Sequence, residues 1–320
     1  MVPAMNRSLL VAALAFVSVG CQKSHTQDWP DRPGPKVVVS FAPLYSFVAS
    51  VAGDDAVVKN VMTTTGPHDF NPTDQDARLL QKADLFFING LDLDNAKAKT
   101  MKQGVENARL QIVDLGSKLD KSLLMEGVCQ HMHKPGEAHQ HGDDPHVWLS
   151  PSRAIKMVEA IREALKEADP SHAANYDRRA AEYIAKLEKL QAEGLALLKD
   201  KKDRKLVTFH ESMNYFADDY KLSVFDVVQQ KPGTEPGTED IQKLLRRCAN
   251  ADVSVIAVEP QYSRNESAKT LLDELKHKGV KDARFVSFDP LETVTPGDLT
   301  PDWYERKMRQ NLQNLAEGLK

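Results

Sequence analysis

Residues 171–199 contain no proline, and only Gly194 interrupts them. Within that stretch Tyr176, Ala180, Tyr183, Ile184, Leu187, Leu190 and Leu197 recur at spacings of three and four, the period of one helical face. At ~1.5 Å per residue the predicted helix is a rod of roughly 45 Å, longer than one small domain needs. A chain of 320 residues has room for two ordinary domains. The rod is therefore read as a connector between two lobes.

The flanks support that reading, because each repeats one pattern. Before the rod, residues 36–41, 57–62, 84–89 and 111–114 are short apolar or β-branched runs, and helical stretches at 43–51, 74–83 and 96–107 separate them. After it, the runs at 206–209, 223–228, 253–258 and 284–287 alternate with helical stretches at 211–220, 240–249 and 266–278, and 301–319 makes a closing helix. Apolar strands without polar alternation belong in a parallel sheet covered on both faces, and strand–helix alternation is the βαβ pattern. The expected fold is α/β: two open α/β lobes joined by a single long α-helix. The first lobe covers 36–150, a helical connector 151–202 and the second lobe 203–320.

The N-terminus is read as lying outside the fold. Arg7 precedes an apolar run from Leu9 to Val17, and Ser18-Val19-Gly20 leads to Cys21. A charged start, a short apolar run and small residues form a secretory signal, too short for a permanent span. The ending in cysteine resembles a bacterial lipoprotein signal, residues 1–21, which would leave Cys21 lipidated. Residues 22–35 are polar and proline-rich and read as a tether. The expected location is the periplasm or the outer face of a bacterial membrane, with a lipid anchor. Two cysteines remain. In an exported protein Cys129 and Cys248 can pair as a disulfide, or Cys129 can join the histidines that follow it; the sequence leaves both open.

Charge excludes one class of partner. A net charge of −4 offers no basic field, so no nucleic acid is expected. Histidine points elsewhere. Five of the ten histidines, His131, His133, His139, His141 and His146, fall within residues 131–146. Pro135, Gly136, Gly142 and Pro145 break that segment, so it is neither helix nor strand. Clustered imidazoles are a compositional metal signal. His131, His133, His139 and His141 are expected to form a mobile, secondary and weak metal loop, whereas His146 stands in an ordered segment.

His68, His146, His210 and Asp289 each follow a predicted strand or sit in a loop between elements. Ligands of open α/β sheets bind at the carboxyl ends of strands. Three imidazoles and a carboxylate drawn from two lobes suit tetrahedral Zn²⁺, and Mn²⁺ less well. Neutral imidazole is the ligand, so affinity is expected to fall below about pH 6. Singly, each residue also has an ordinary structural reading: His210 as a core histidine, and Asp289 before Pro290 as a turn.

The surrounding motifs raise the metal reading. Gly-Pro-His-Asp-Phe-Asn-Pro-Thr (66–73), Asp-Pro-His-Val-Trp-Leu-Ser-Pro (144–151), Thr-Phe-His-Glu-Ser-Met-Asn-Tyr-Phe (208–216) and Phe-Asp-Pro-Leu (288–291) occur in this order. Together they resemble the metal-receptor family of zinc and manganese ABC importers, over about residues 36–320. The resemblance implies two lobes on a rigid helix, a metal between them held by His68, His146, His210 and Asp289, and an ABC permease as partner of a monomeric receptor. A histidine-rich insert and an imidazole at the third ligand resemble the zinc branch; Phe70-Asn71 stands where Tyr-Glu is more usual. The alternatives are a manganese receptor, a metal-binding surface adhesin or buffer of the same fold, and a zinc hydrolase. The hydrolase reading is the weakest. The helical zinc-protease motif that begins at His210-Glu211 needs histidine where Asn214 stands, and a fourth protein ligand closes the open position that a catalytic zinc keeps.

Overall fold

The computed structural model describes residues 29–127, 142–229, 237–260, 266–295 and 297–320. Two four-stranded parallel sheets organise it. The first is built from β1 (Lys36–Val39), β2 (Val57–Asn60), β3 (Leu85–Ile88) and β4 (Gln111–Asp114), in the order β2-β1-β3-β4. The second takes β5 (Lys205–Thr208), β6 (Ser223–Val227), β7 (Val255–Val258) and β8 (Arg284–Ser287), in the order β6-β5-β7-β8. The two orders are the same topology. In each, the central strands are the most apolar: Phe86 and Phe87 of β3 and Ile256 of β7 are almost fully buried. The edge strands β2, β4 and β6 are only partly covered. A strand order that reverses direction opens a crevice at the carboxyl ends of the strands, and both sheets turn theirs toward the same place.

Local chemistry sets the helices of the first lobe. Pro43 lies in the first turn of α1 (Ala42–Ala52), where its missing N–H costs nothing. Thr73 caps α2 (Asp74–Leu80) with a reciprocal box to Asp76. Helix α3 (Asn95–Gln103) follows β3. Ser150 caps α4 (Pro151–Ala168) by accepting from the Arg153 N–H.

The predicted rod is α5 (Ala173–Leu198), 26 residues and hence ~39 Å long. Its buried face is Tyr176, Ala180, Tyr183, Leu187, Leu190, Gly194 and Leu198. Leu197, predicted to belong to that face, is 45% exposed, and Leu198 takes its place. Gly194 is required by proximity: a Cβ there would come within 2.3 Å of the Tyr220 ring and 2.7 Å of Leu312. In the second lobe α6 (Asn214–Asp219), α7 (Thr238–Asn250) and α8 (Glu266–His277) follow their strands.

The closing helix α9 (Trp303–Gly318) packs on β8, on α5 and on α1 of the first lobe. Ser46 on α1 donates to the Thr300 carbonyl and accepts from the Tyr304 N–H at the start of α9. The chain thus returns to its first lobe at the end, and one apolar core runs through residues of both halves. A second cluster fills the space between β5, β7, α7 and α8. Cys248 of α7 is a free thiol buried in it, and burial pushes that thiol up to about 12. Its suggested partner Cys129, the signal with Cys21, and the loop histidines His131, His133, His139 and His141 lie outside the described residues. Among the described residues no helix is long and apolar enough to cross a membrane.

Candidate metal centre

Four side chains meet where the two sheets face each other: His68, His146, His210 and Glu292. His68 comes from the loop after β2. His146 precedes the short turn into α4, and His210 lies two residues beyond β5. Glu292 is on the loop after β8. One ligand atom from each lies within 4.8 Å of the other three. Glu292 Oε1 is 3.4 Å from His68 Nε2, 3.6 Å from His146 Nε2 and 3.3 Å from His210 Nε2. His68 and His146 hold their Nε2 atoms 3.2 Å apart. Ligand atoms at the corners of a tetrahedron around zinc, each ~2.0–2.1 Å from the metal, are separated by ~3.3 Å. The four separations of 3.2–3.6 Å fit the edges of that polyhedron. Two of the converging atoms, His210 Nε2 and Glu292 Oε1, are buried and meet no hydrogen-bond geometry among the described residues, despite their proximity. Buried polar atoms without partners are costly, and a cation between them would satisfy both.

The fourth position corrects the sequence reading. Asp289 was expected to supply the carboxylate, but its Oδ1 accepts from the Leu291 N–H at 2.9 Å and its Oδ2 lies 3.3 Å from Lys307 Nζ on α9. Its backbone is held on both sides by Asn311. The short aspartate is consumed in a turn, and Leu291 takes φ +63° to reverse the chain. Glu292 emerges from that reversal facing the histidines. Gly66, the first residue of the His68 motif, makes room for it, since a Cβ there would press on Glu292 Oε2 at 3.2 Å. Nothing local to the sequence separates Asp289 from a glutamate three positions on; only the turn does.

Two further carboxylates went unread. Asp144 Oδ1 lies 2.7 Å from His146 Nδ1 and also accepts the His146 N–H at 2.9 Å. Glu259, directly after β7, contacts His210 Nδ1. Strands β5 and β7 are adjacent, with Thr208 paired to Ala257, which is why residues just past their ends meet. A carboxylate on Nδ1 fixes the tautomer and aims Nε2 at the metal position. Burial alone would lower both imidazole pKa values, but the carboxylates outweigh it. Asp144 and Glu292 carry His146 up to about 9, and Glu259 and Glu292 carry His210 up to about 10. Burial would raise Glu292; the imidazoles of His146, His210 and His68 around it instead hold it well below the usual carboxylate range.

The family described as "ZnuA: Zinc-uptake complex component A periplasmic" matches residues 37–318. The chain belongs to this family. The zinc-binding protein AdcA of Streptococcus pyogenes serotype M3 is 34% identical over 324 residues, covering 97% of this chain and 61% of the relative. The chain thus spans about 61% of the length of the streptococcal relatives that it matches. The high-affinity zinc uptake system protein ZnuA of Bacillus subtilis is 31% identical and is covered to 96% of its length. Among solved structures, Zn(II)-bound AdcA from Streptococcus pneumoniae superposes with a TM-score of 0.69 at 27% identity, over 89% of this chain and 57% of that one. The ZnuA family thus gives the two-lobed α/β fold, and the relatives named here are zinc-binding or zinc-uptake proteins.

Proposed function

We propose that this ZnuA-family chain is an exported zinc receptor that binds one Zn²⁺ between its lobes and delivers it to the permease of an ABC importer. The observation that carries the reading is the convergence of three Nε2 atoms and one carboxylate oxygen at tetrahedral spacing, with His146 and His210 oriented by carboxylates behind them. His68, His146, His210 and Glu292 are the proposed ligands. Zinc is favoured over manganese because the donor set is nitrogen-rich and its four corners close the coordination sphere. A closed sphere also speaks against hydrolysis, which needs an open position for water. Relatives named for zinc binding and zinc uptake support the assignment. The finer proposals are a monomer anchored through lipid on Cys21, with His131, His133, His139 and His141 as a weak accessory metal loop.

Metal analysis of the purified protein, with chelator competition for Zn²⁺ and Mn²⁺, tests the reading. One tight zinc per chain is expected. Glu292→Gln is expected to weaken zinc by about 10²–10³-fold, roughly one ligand's share of the ~10–16 kcal/mol typical of four-ligand sites, and Asp289→Asn to leave it nearly unchanged. The reverse pattern would return the fourth position to Asp289.

A further inference from the structure

The side chain behind Asp144 comes from the other lobe. Asn214 opens α6, four residues beyond His210, and its Nδ2 donates to Asp144 Oδ2 at 3.0 Å and to Glu211 Oε1 at 3.0 Å. Both neighbours are carboxylates, so the amide must turn its NH₂ toward them, which fixes its orientation. Asp144 Oδ1 is already occupied by the His146 N–H and Nδ1. The contact to Asn214 holds the remaining oxygen of that carboxylate, Oδ2.

We propose that Asn214 is a positioning residue that sets the aim of His146 from the opposite lobe, by locking Asp144 to the segment that carries His210. This rests on the reading of His68, His146, His210 and Glu292 as the zinc site. The neighbouring contacts leave Asn214 this role. Docking of α6 onto the 144–153 segment is carried by others. Tyr215 Oη donates to the Asp144 carbonyl at 2.8 Å and accepts from the Met125 N–H at 3.0 Å. Asp219 accepts from the Ser150 and Ser152 side chains and from Arg153. Removing the Asn214 amide therefore spares the packing and frees the carboxylate. A metal site tolerates only about 0.5 Å and 10–20° of error in its ligands, and outer partners of metal-bound histidines are typically worth about 10–100-fold in affinity.

The test uses the full mature chain with Zn²⁺ in chelator competition, and with Co²⁺, whose absorption is intense in tetrahedral and weak in octahedral coordination. Asn214→Ala is expected to lower zinc affinity by about 10-fold or more and to weaken the Co²⁺ band, with the metal-free melting temperature nearly kept. Asn214→Asp, an isosteric change that sets a like charge against Asp144, is expected to act in the same direction and covers a poorly folding alanine variant. In an Asp144→Ala background, Asn214→Ala should add nothing, because the two act in series. Losses that multiply in the double variant, or a wild-type Co²⁺ band in both single variants, overturn the proposal. His146→Ala separates the levels. If it loses tight zinc while Asn214→Ala does not, only the positioning role falls; if it keeps tight zinc, the site assignment falls and this inference with it.

Discussion

The three imidazoles of the centre differ in what stands behind each ring. The side chains of His146 and His210 are 5% and 3% exposed, and each rests its Nδ1 on a carboxylate. The His68 side chain is 17% exposed, and among the described residues no carboxylate meets its Nδ1. Its loop is held through the backbone instead: Asp69 and Phe70 both donate to the Gly66 carbonyl, and Lys97 donates to that of Pro67. Two of the proposed ligands are thus built into the walls and the third stands at the rim. Buried, braced ligands lose little freedom when metal arrives; a rim ligand must be ordered by the metal itself. If the proposed site is right, His146, His210 and Glu292 should hold the metal and His68 should govern its capture and release.

The sharpest way to break the comparison is ligand removal. His210→Ala is expected to lower zinc affinity by about 10²–10³-fold, one ligand's share of the binding energy. It also leaves Glu259 buried without its imidazole, so the metal-free protein should lose stability as well. His68→Ala is expected to cost only about 10–100-fold, since water can reach the rim and take the empty corner. Equal losses by chelator competition would erase the distinction.

Next comes pH. In the metal-free protein His146 and His210 are carried up to about 9 and about 10, against ~6.5 in an unfolded chain. Their contribution to metal-free stability is fully present below about pH 6.5 and is lost as pH rises through 9 and 10. Zinc requires both rings neutral, so binding at pH 7 should release two protons from them, and affinity should climb steeply, up to about 100-fold per pH unit, across the same interval. The sequence places the loss of affinity below about pH 6; the carboxylates behind the rings move it upward. Calorimetry in buffers of different ionisation enthalpy counts the protons. Melting curves with and without Zn²⁺ should diverge as pH rises from 7 to 9.

A smaller effect isolates the bracing itself. Glu259→Gln keeps a hydrogen-bond partner for His210 Nδ1 but removes the charge. It is expected to weaken zinc by about 10–100-fold and to lower the His210 pKa, which shows as fewer protons released on binding. No change in either quantity would mean that the carboxylate serves only packing.

The elements were legible because their signals are local. The four apolar runs on each flank, Pro43, the Thr73 and Ser150 caps and the pattern of 171–199 all act within a few residues. The three histidines, each embedded in its own motif, are brought together by the fold. Asp289, Glu292, Asp144 and Glu259 were misread or unread because their roles depend on where chain segments meet. Glu292 faces the site through a turn with positive φ at Leu291. Glu259 reaches His210 through the pairing of β5 with β7. In Leu197 and Leu198 the failure was one residue wide, since both continue a spacing of three or four and only the packing of α9 against α5 decides between them.

The finest test acts on the rim. Lys97 of α3 reaches under the His68 loop, with Nζ 2.6 Å from the Pro67 carbonyl, 3.5 Å from that of His68 and 3.4 Å from that of Leu93. Burial lowers its pKa, and Asp94 and Asp69 oppose that. Lys97→Met keeps the apolar stem and removes the ammonium. Charged hydrogen bonds are worth about 1.5–3 kcal/mol when buried; at this half-covered site about 1 kcal/mol of stability is expected to go. Zinc affinity should fall only a few-fold, about 2–5-fold, because the two braced histidines and Glu292 are untouched. The loss should lie in the dissociation rate, since a looser His68 lets the metal leave more readily. Stopped-flow release of Zn²⁺ to a chelator, with hydrogen exchange over residues 66–70, reads both. A loss as large as that of His68→Ala would place Lys97 in control of the ligand itself, and the rim would then be as rigid as the walls.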